Sequence, residues 1–161
     1  MRSLFAIALS ICLFSCSSPQ KEKPLDKEAV TAEVRQMLKD YHAAMAEGGL
    51  LAEFDYLDES EDFFWVPPGY SSALTYDSVR TILEQNAKTL DKIKLEWESL
   101  QVLPLSSTLA NYTGIVRSTS KDTAGIQTTV AIIESGTLIK RSDGWKLLSG
   151  QSALLPETSD N

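Results

Sequence analysis

Histidine and thiols are nearly missing from this chain. His42 is the single histidine in 161 residues, and the two cysteines are Cys12 and Cys16. A zinc or iron site of familiar spacing cannot be assembled from one imidazole and so few thiols, so no metal is expected. Basic residues are short as well, 15 against 22 acidic, for a formal charge of -7. Every phosphate contact wants Lys or Arg, so this balance argues against nucleic acid and against electrostatic docking on anionic lipid. No glycine-rich phosphate loop is present, since Gly48-Gly49 reads as a helix stop. No nucleotide or other cofactor is therefore expected.

The one long apolar run, Leu4 to Phe14 behind Arg2, is too short to span a bilayer but suits the core of a signal peptide, taken as residues 1–15. The run stops at Leu13-Phe14-Ser15-Cys16, which resembles a bacterial lipobox, with Phe14 bulkier than is usual there. That resemblance implies cleavage before Cys16 and lipidation of its thiol, hence a location in the bacterial cell envelope, inner or outer membrane left open. Cys12 is then removed, no internal disulfide is possible, and the core alone must hold the domain. Residues 16–27 are polar and twice broken by proline, a flexible tether whose reach is on the order of 20 Å.

The domain itself is expected over residues 28–155, with a polar tail at 156–161. From Glu28 to Glu47, Val30, Val34, Met37, Leu38, Tyr41, Ala44 and Met45 recur at helical spacing. Gly48 is expected to supply the left-handed cap. Leu50, Leu51, Phe54 and Leu57 suggest a short second helix. Asp62 to Gly69 reads as a strand buried on both faces, Phe63 and Trp65 on one side and Phe64 and Val66 on the other, ended by Pro-Pro-Gly. Thr75 is a plausible N-cap for a further helix carrying Val79, Ile82, Leu83 and Leu90. From Lys94 the period becomes two, and the change of phase after Trp97 predicts a bulge. Strands then follow over 108–118, 127–141 and 145–154, the last pair joined by a Ser142-Asp143-Gly144 hairpin. Helices gathered before strands indicate an α+β domain with an antiparallel sheet.

This order, with its helix-Gly, strand-Pro-Gly and Asp-Gly-Trp-Lys-Leu-Leu elements, resembles the NTF2-like superfamily, and within it the SnoaL-like and DUF4440-type domains. The resemblance spans Val30 to Leu154. It implies an NTF2-like (cystatin-like) cone, a strongly curved sheet wrapped about the first helix around an apolar pocket, often with homodimers formed through the outer sheet face. In the ketosteroid isomerase branch the base is an aspartate just before the proline of the strand-Pro element, where this chain has Val66. That branch also has a tyrosine oxyanion donor on the first helix. Tyr41 matches it when the helix end at Gly48 is aligned, His42 when the count runs from Pro67, and the helical period favours Tyr41. DUF4440-type domains often carry histidines where this chain has Ser149 and Gln151. Both alternate with Trp145 and Leu147, so both are expected to face the pocket.

Valine cannot move a proton, so the leading expectation is a pocket that binds a small hydrophobic molecule or peptide without strong catalysis. Its lining is expected to come from Tyr41, Phe54, Trp65, Tyr70, Trp97, Tyr112, Ser149 and Gln151. The alternative is a SnoaL-like isomerase, hydratase or cyclase acting on a hydrophobic carbonyl compound, with Tyr41 as oxyanion donor and Asp62 or Glu134 as base. Glu134, between Ile132 and Gly136, is either a buried carboxyl of raised pKa or an edge residue. A third possibility is a dimeric envelope interaction module, which an apolar outer sheet face would favour. His42 reads as a solvated or hydrogen-bonded helix-flank residue, and Glu96 and Glu98 as a solvated face.

Overall fold

The computed structural model describes residues 24–156. The expected signal peptide, Cys16 and most of the expected tether lie outside the described residues, as does nearly all of the expected tail. The first helix, α1, runs Lys27–Gly48, and Asp26 caps it by accepting a 3.0 Å hydrogen bond from the Ala29 N–H. It ends at Gly48, and Gly49 rather than Gly48 takes the positive φ of 78°, the left-handed conformation that only glycine adopts freely. Leu50–Tyr56 is a single 3₁₀ helix, Tyr76–Asn86 forms α2, and Thr75 caps α2 through the Ser78 N–H as its sequence predicts.

Five strands build one sheet: β1 Phe64–Val66, β2 Leu90–Pro104, β3 Leu109–Asp122, β4 Gln127–Arg141 and β5 Gly144–Leu154. Their order is β1-β5-β4-β3-β2, antiparallel throughout except that β1 joins β5 in parallel. Alternation places Ala110, Tyr112 and Val116 of β3 and Leu138 of β4 on the inner face, all buried under α1. With Val34, Leu38 and Leu147, the residues Ala110, Tyr112 and Leu138 belong to one core cluster, where each fully buried aliphatic side chain contributes roughly 1.5–3 kcal/mol.

Besides a register shift between Leu90 and Lys92 at the start of β2, two bulges bend the sheet. The first, between Trp97 and Ser99, is the predicted one, and Ser99 fills it by accepting from the Ile115 N–H at 3.1 Å. Arg35 reaches from α1 to the Leu100 carbonyl at 2.9 Å and ties the helix to the same bend. The second was not predicted. Leu138 pairs with Leu147 but Thr137 with Ser149, so Leu148 is the extra residue and the phase of β5 changes after it.

Three inner-face glycines make room for aromatic rings. Trp97 lies over Gly114 and Trp65 over Gly150, while Tyr112 and Trp65 both crowd Gly136, where an added Cβ would sit 2.9 Å from Tyr112 Cε1. The hub strand differs from its expected form. Phe63 is buried just before β1 and Trp65 is half-buried, but Phe64 is 48% exposed, because nothing covers the outer face of this short edge strand.

Candidate functional site: a carboxyl and tyrosine cluster inside the cone

Glu134 projects from the middle of β4 onto the inner face. Its cross-strand neighbours are Gly114, which lies under Trp97, and Ser152, whose Oγ accepts from Trp65 Nε1 at 3.4 Å. A carboxyl thus stands between two indole rings. The Tyr112 hydroxyl donates to Glu134 Oε1 at 2.5 Å. Burial pushes the Glu134 carboxyl up to about 7 against the opposing effect of that hydrogen bond. The ion pairs of the described residues engage other carboxylates, Glu33, Asp58, Glu96, Glu98 and Asp143, so none of them joins a Lys or Arg to Glu134.

A second carboxyl feels its charge. Glu53, on the 3₁₀ helix, is raised to about 7, first by burial and further by the charge of Glu134, while hydrogen bonding from Tyr41 works the other way. Tyr41 and Tyr112 are both buried, and each hydroxyl is held well above its ordinary value, first by burial and then by the charges of these glutamates. Both phenols therefore stay protonated donors across the whole physiological range. Two carboxyls raised towards neutrality and two proton-bearing hydroxyls, contributed by α1, the 3₁₀ helix, β3 and β4, are thus electrostatically coupled, with Tyr112 and Glu134 in direct hydrogen bond.

Glu53 was not among the candidates from sequence. An α-helical reading of Leu50 to Leu57 groups Leu50, Leu51, Phe54 and Leu57 on one stripe. The segment is instead 3₁₀, in which residues three apart eclipse, so Leu50, Glu53 and Tyr56 share a face. Tyr56 accordingly lies 5.4 Å from Tyr41, ring centre to ring centre. Glycine on both sides of the α1 end and a carboxyl three residues after Leu50 were the available signals.

The other candidates divide. Tyr41, Tyr112 and Glu134 come together, and Trp97 and Trp65 flank Glu134. Trp97 stacks on His42 at 5.0 Å and 17° and meets Tyr112 edge-on at 5.9 Å. Its Nε1 is buried without a hydrogen-bond partner. His42 is not solvated: it is buried, and burial lowers its imidazole to about 4, so it is neutral near pH 7. Asp62 is exposed and stays outside the cone. Phe54 packs against Tyr76 at a surface cleft, with the Arg80 guanidinium 5.5 Å from each ring. Ser149 and Gln151 do not face the cone, because the bulge at Leu148 turns both to the outer face and puts Gly150 and Ser152 inside. Gln151 and Tyr70 instead line an outer groove of about 320 Å³ with Val66, Pro67, Ile133 and Ser135.

Of the five cavities described, the largest, about 910 Å³, lies at the start of α1 between Leu25, Val30, Glu33, Leu105 and Lys140. None of the five cavities described is lined by Tyr41, Glu53, Tyr112 or Glu134. Among the described residues no group of three or more His, Cys, Asp and Glu is arranged to hold a metal.

Solved structures share this architecture. A candidate scytalone dehydratase from Novosphingobium aromaticivorans superposes with a TM-score of 0.70 at 14% identity, covering 80% of this chain and 86% of that one. A nuclear transport factor 2 (NTF2-like) superfamily protein from Salmonella enterica gives 0.69 at 13% identity, covering 83% and 96%. A candidate calcium/calmodulin-dependent protein kinase II association domain from Xanthomonas campestris gives 0.66 at 20% identity, covering 78% and 88%. At such identities the likeness establishes the NTF2-like fold and nothing about chemistry. No functionally curated protein matches the sequence. A family model does: residues 34–156 match the SnoaL-like domain, and with most of the described domain inside that match, the chain belongs to the SnoaL-like family.

Proposed function

We propose that the inner face of the sheet is a proton-transfer site for a small hydrophobic carbonyl compound, with Glu134 as the base. The observation that carries this reading is a carboxyl set between two tryptophans, bonded to a tyrosine and lacking a cationic partner. A base that titrates near neutral pH is half ionised where it must work, and it is strong enough to take a proton from carbon beside a carbonyl. Tyr41, a donor that does not ionise, supplies the hydrogen bond to the oxygen on which negative charge builds. Asp62, the other base considered, has no part in this reading.

Substrate enters by displacing the 3₁₀ helix. That segment has no fully buried residue and follows the positive-φ Gly49, so moving it parts only the half-buried Leu50, Phe54 and Tyr56 from the core. The test is α-proton exchange of benzylacetone in deuterated water, followed by NMR. Wild-type protein accelerates the exchange, and E134Q loses it by about 10²-fold or more. Equal exchange by wild type and E134Q would remove the proposal.

Binding without turnover is a second reading, favoured by one observation. Trp97 Nε1 is a buried orphan donor, which a ligand oxygen would satisfy. Saturable binding of benzylacetone with no exchange would select it. The interaction-module reading wants an apolar outer face, whereas the pairs Thr113–Ser135, Thr119–Thr129 and Asn111–Thr137 line that face with hydroxyls and an amide. Export and anchoring at Cys16 in the bacterial envelope complete the proposal. The support is the apolar run that stops at that cysteine. Loss of a lipid mass on Cys16→Ser, read by mass spectrometry of the protein from its native membrane, tests it.

A further inference from the structure

We propose that the free edge of β2 over residues 91–98 pairs antiparallel with the same segment of a second copy of the chain, Leu95 lying opposite the partner's Leu95. This interface is independent of the proton-transfer reading and uses a different surface, the edge of the sheet rather than either of its faces.

The edge is open over that stretch. β2 ends the sheet, with β3 on one side and no strand on the other, and neither isolated bridge of the described residues involves it. Its second half is engaged, since Arg35 of α1 takes the Leu100 carbonyl and the bulge between Trp97 and Ser99 breaks the run of the strand. Before the bulge, among the described residues, no backbone hydrogen bond joins 91–98 to anything but β3. A row of unpaired N–H and C=O groups is a template for another strand.

Charge decides which strand can use it. The outer side chains of the stretch are Lys92, Lys94, Glu96 and Glu98 in turn, two positive and then two negative, and all four are exposed. Lys94 touches Glu96 at 2.9 Å, and Glu98 is paired with Arg117 of β3, which fixes them on the outer face. In an antiparallel pair, directly opposed residues have Cβ atoms about 4.5–5.5 Å apart, where unlike charges attract and like charges repel. With Leu95 on the two-fold axis, Lys94 meets the partner's Glu96 and Lys92 meets the partner's Glu98. The axis repeats both contacts, so every outer position finds its opposite. A slip of two residues, the smallest that keeps the inner face inside, sets Lys94 against the partner's Lys94 in one direction and Glu96 against the partner's Glu96 in the other. The same four charges that turn away an arbitrary strand therefore admit a second copy, and in one register.

The inner face agrees. Ile93, Leu95 and Trp97 alternate with the charged residues and are half-buried at the margin of the core. In the proposed register Leu95 packs on the partner's Leu95 and Trp97 beside the partner's Ile93, which removes from water apolar surface that the last strand of a sheet leaves bare. Trp97 lies over Gly114, the cross-strand neighbour of Glu134, so the second copy also walls the β2 flank of the candidate site.

The experiment is sedimentation velocity of the purified full chain over a range of concentrations, with wild type, K92E/K94E and E96K/E98K. Wild type forms a dimer that weakens as salt rises. Each double variant carries charges of one sign along the edge and dimerises at least about 10-fold more weakly. An equimolar mixture of the two variants, one edge acidic and the other basic, restores a dimer with one copy of each. Dimerisation of both variants at wild-type strength would place the interface elsewhere and overturn the proposal, as would a wild type that is monomeric at every concentration. Variants that lose the dimer and do not recover it on mixing would overturn the register. Amide hydrogen exchange gives a readout that needs no variant: the N–H groups on the free edge of 91–98 are protected in concentrated wild type and exchange on dilution, and protection that does not change with dilution would overturn the edge pairing.

Discussion

Replacing Glu134 with Gln should make the protein more stable at pH 8 and nearly neutral in effect at pH 4.5. In the folded chain the carboxyl is raised from its ordinary 4.5 to about 7, so the native state holds its proton more tightly than the unfolded state. Stability is therefore fully present below pH 4.5, falls as pH rises towards 7, and stays lost above it. The difference corresponds to roughly 3 kcal/mol at pH 8, from the conversion of about 1.4 kcal/mol for each pH interval. Glu53 behaves in the same sense, being raised to about 7. His42 behaves oppositely, because lowering its imidazole from 6.5 to about 4 means that stability is lost as pH falls from 6.5 to 4. The wild-type profile between pH 4.5 and 7 is the sum of two losses and one gain of similar size on rising pH, so a net loss of about one carboxyl's contribution remains and does not by itself say which glutamate carries it. The difference between E134Q and wild type removes the His42 contribution and leaves the Glu134 carboxyl together with its effect on Glu53. Urea unfolding at pH 4.5, 6 and 8 measures it, and Gln retains an oxygen for the Tyr112 hydroxyl, which limits the cost of the exchange. The expected result is a relative gain for E134Q of about 2–3 kcal/mol between pH 4.5 and pH 8. A stability difference that is the same at all three pH values would refute the placement of Glu134 in a desolvated cluster.

Two further substitutions probe the scaffold and the location of the base. Gly136→Ala puts a Cβ 2.7 Å from the Ser149 carbonyl and 2.9 Å from Tyr112 Cε1, so it should cost about 1–3 kcal/mol and push Tyr112 away from Glu134; urea midpoints and the near-ultraviolet dichroism of the aromatic cluster report both effects. Val66→Asp in an E134Q background should restore no α-proton exchange, because Val66 pairs with Gln151 and lines the outer groove with it; recovered exchange would show that position 66 reaches the cone.

Much of the architecture was legible because it is written in local periods. The stripe from Val30 to Met45 fixes α1, Thr75 starts α2, and the change of phase past Trp97 marks the first bulge. The second bulge was hidden. Leu147 and Leu148 are both apolar, so alternation gives no sign of which one is the extra residue, and a single inserted position reverses every side chain after it. That one residue moved Ser149 and Gln151 out of the candidate site. His42 was misread for a related reason. A helix on a flat sheet buries one stripe, but here the sheet curls past α1, and Trp97 of β2 covers the flank where His42 sits. Glu53 escaped because the period of its segment is three rather than 3.6. Each miss concerns curvature or a tight helix, properties set by tertiary packing rather than by the hydrophobic pattern of the segment itself.

The position of the base follows from the same curvature. The family resemblance pointed to the end of β1, where Val66 holds no proton, and on that evidence alone catalysis was the weaker reading. Yet β1 is three residues long and lies at the edge of the sheet, with its outer face bare. A carboxyl there faces water unless something covers it. On β4, in the interior of the sheet, Glu134 has a strand on each side, and the glycines at 114, 136 and 150 let Trp97, Tyr112 and Trp65 close over the surface around it. Burial of that kind is what raises a carboxyl to a useful pKa, and it is available in mid-sheet without any change at the edge. The three glycines and the glutamate therefore belong to one device: with a Cβ at any of them the rings stand off, water enters, and Glu134 returns to an ordinary acid. An acid at Val66 is not needed for proton transfer in this fold so long as the inner face carries a carboxyl and the small residues that allow aromatic rings to cover it.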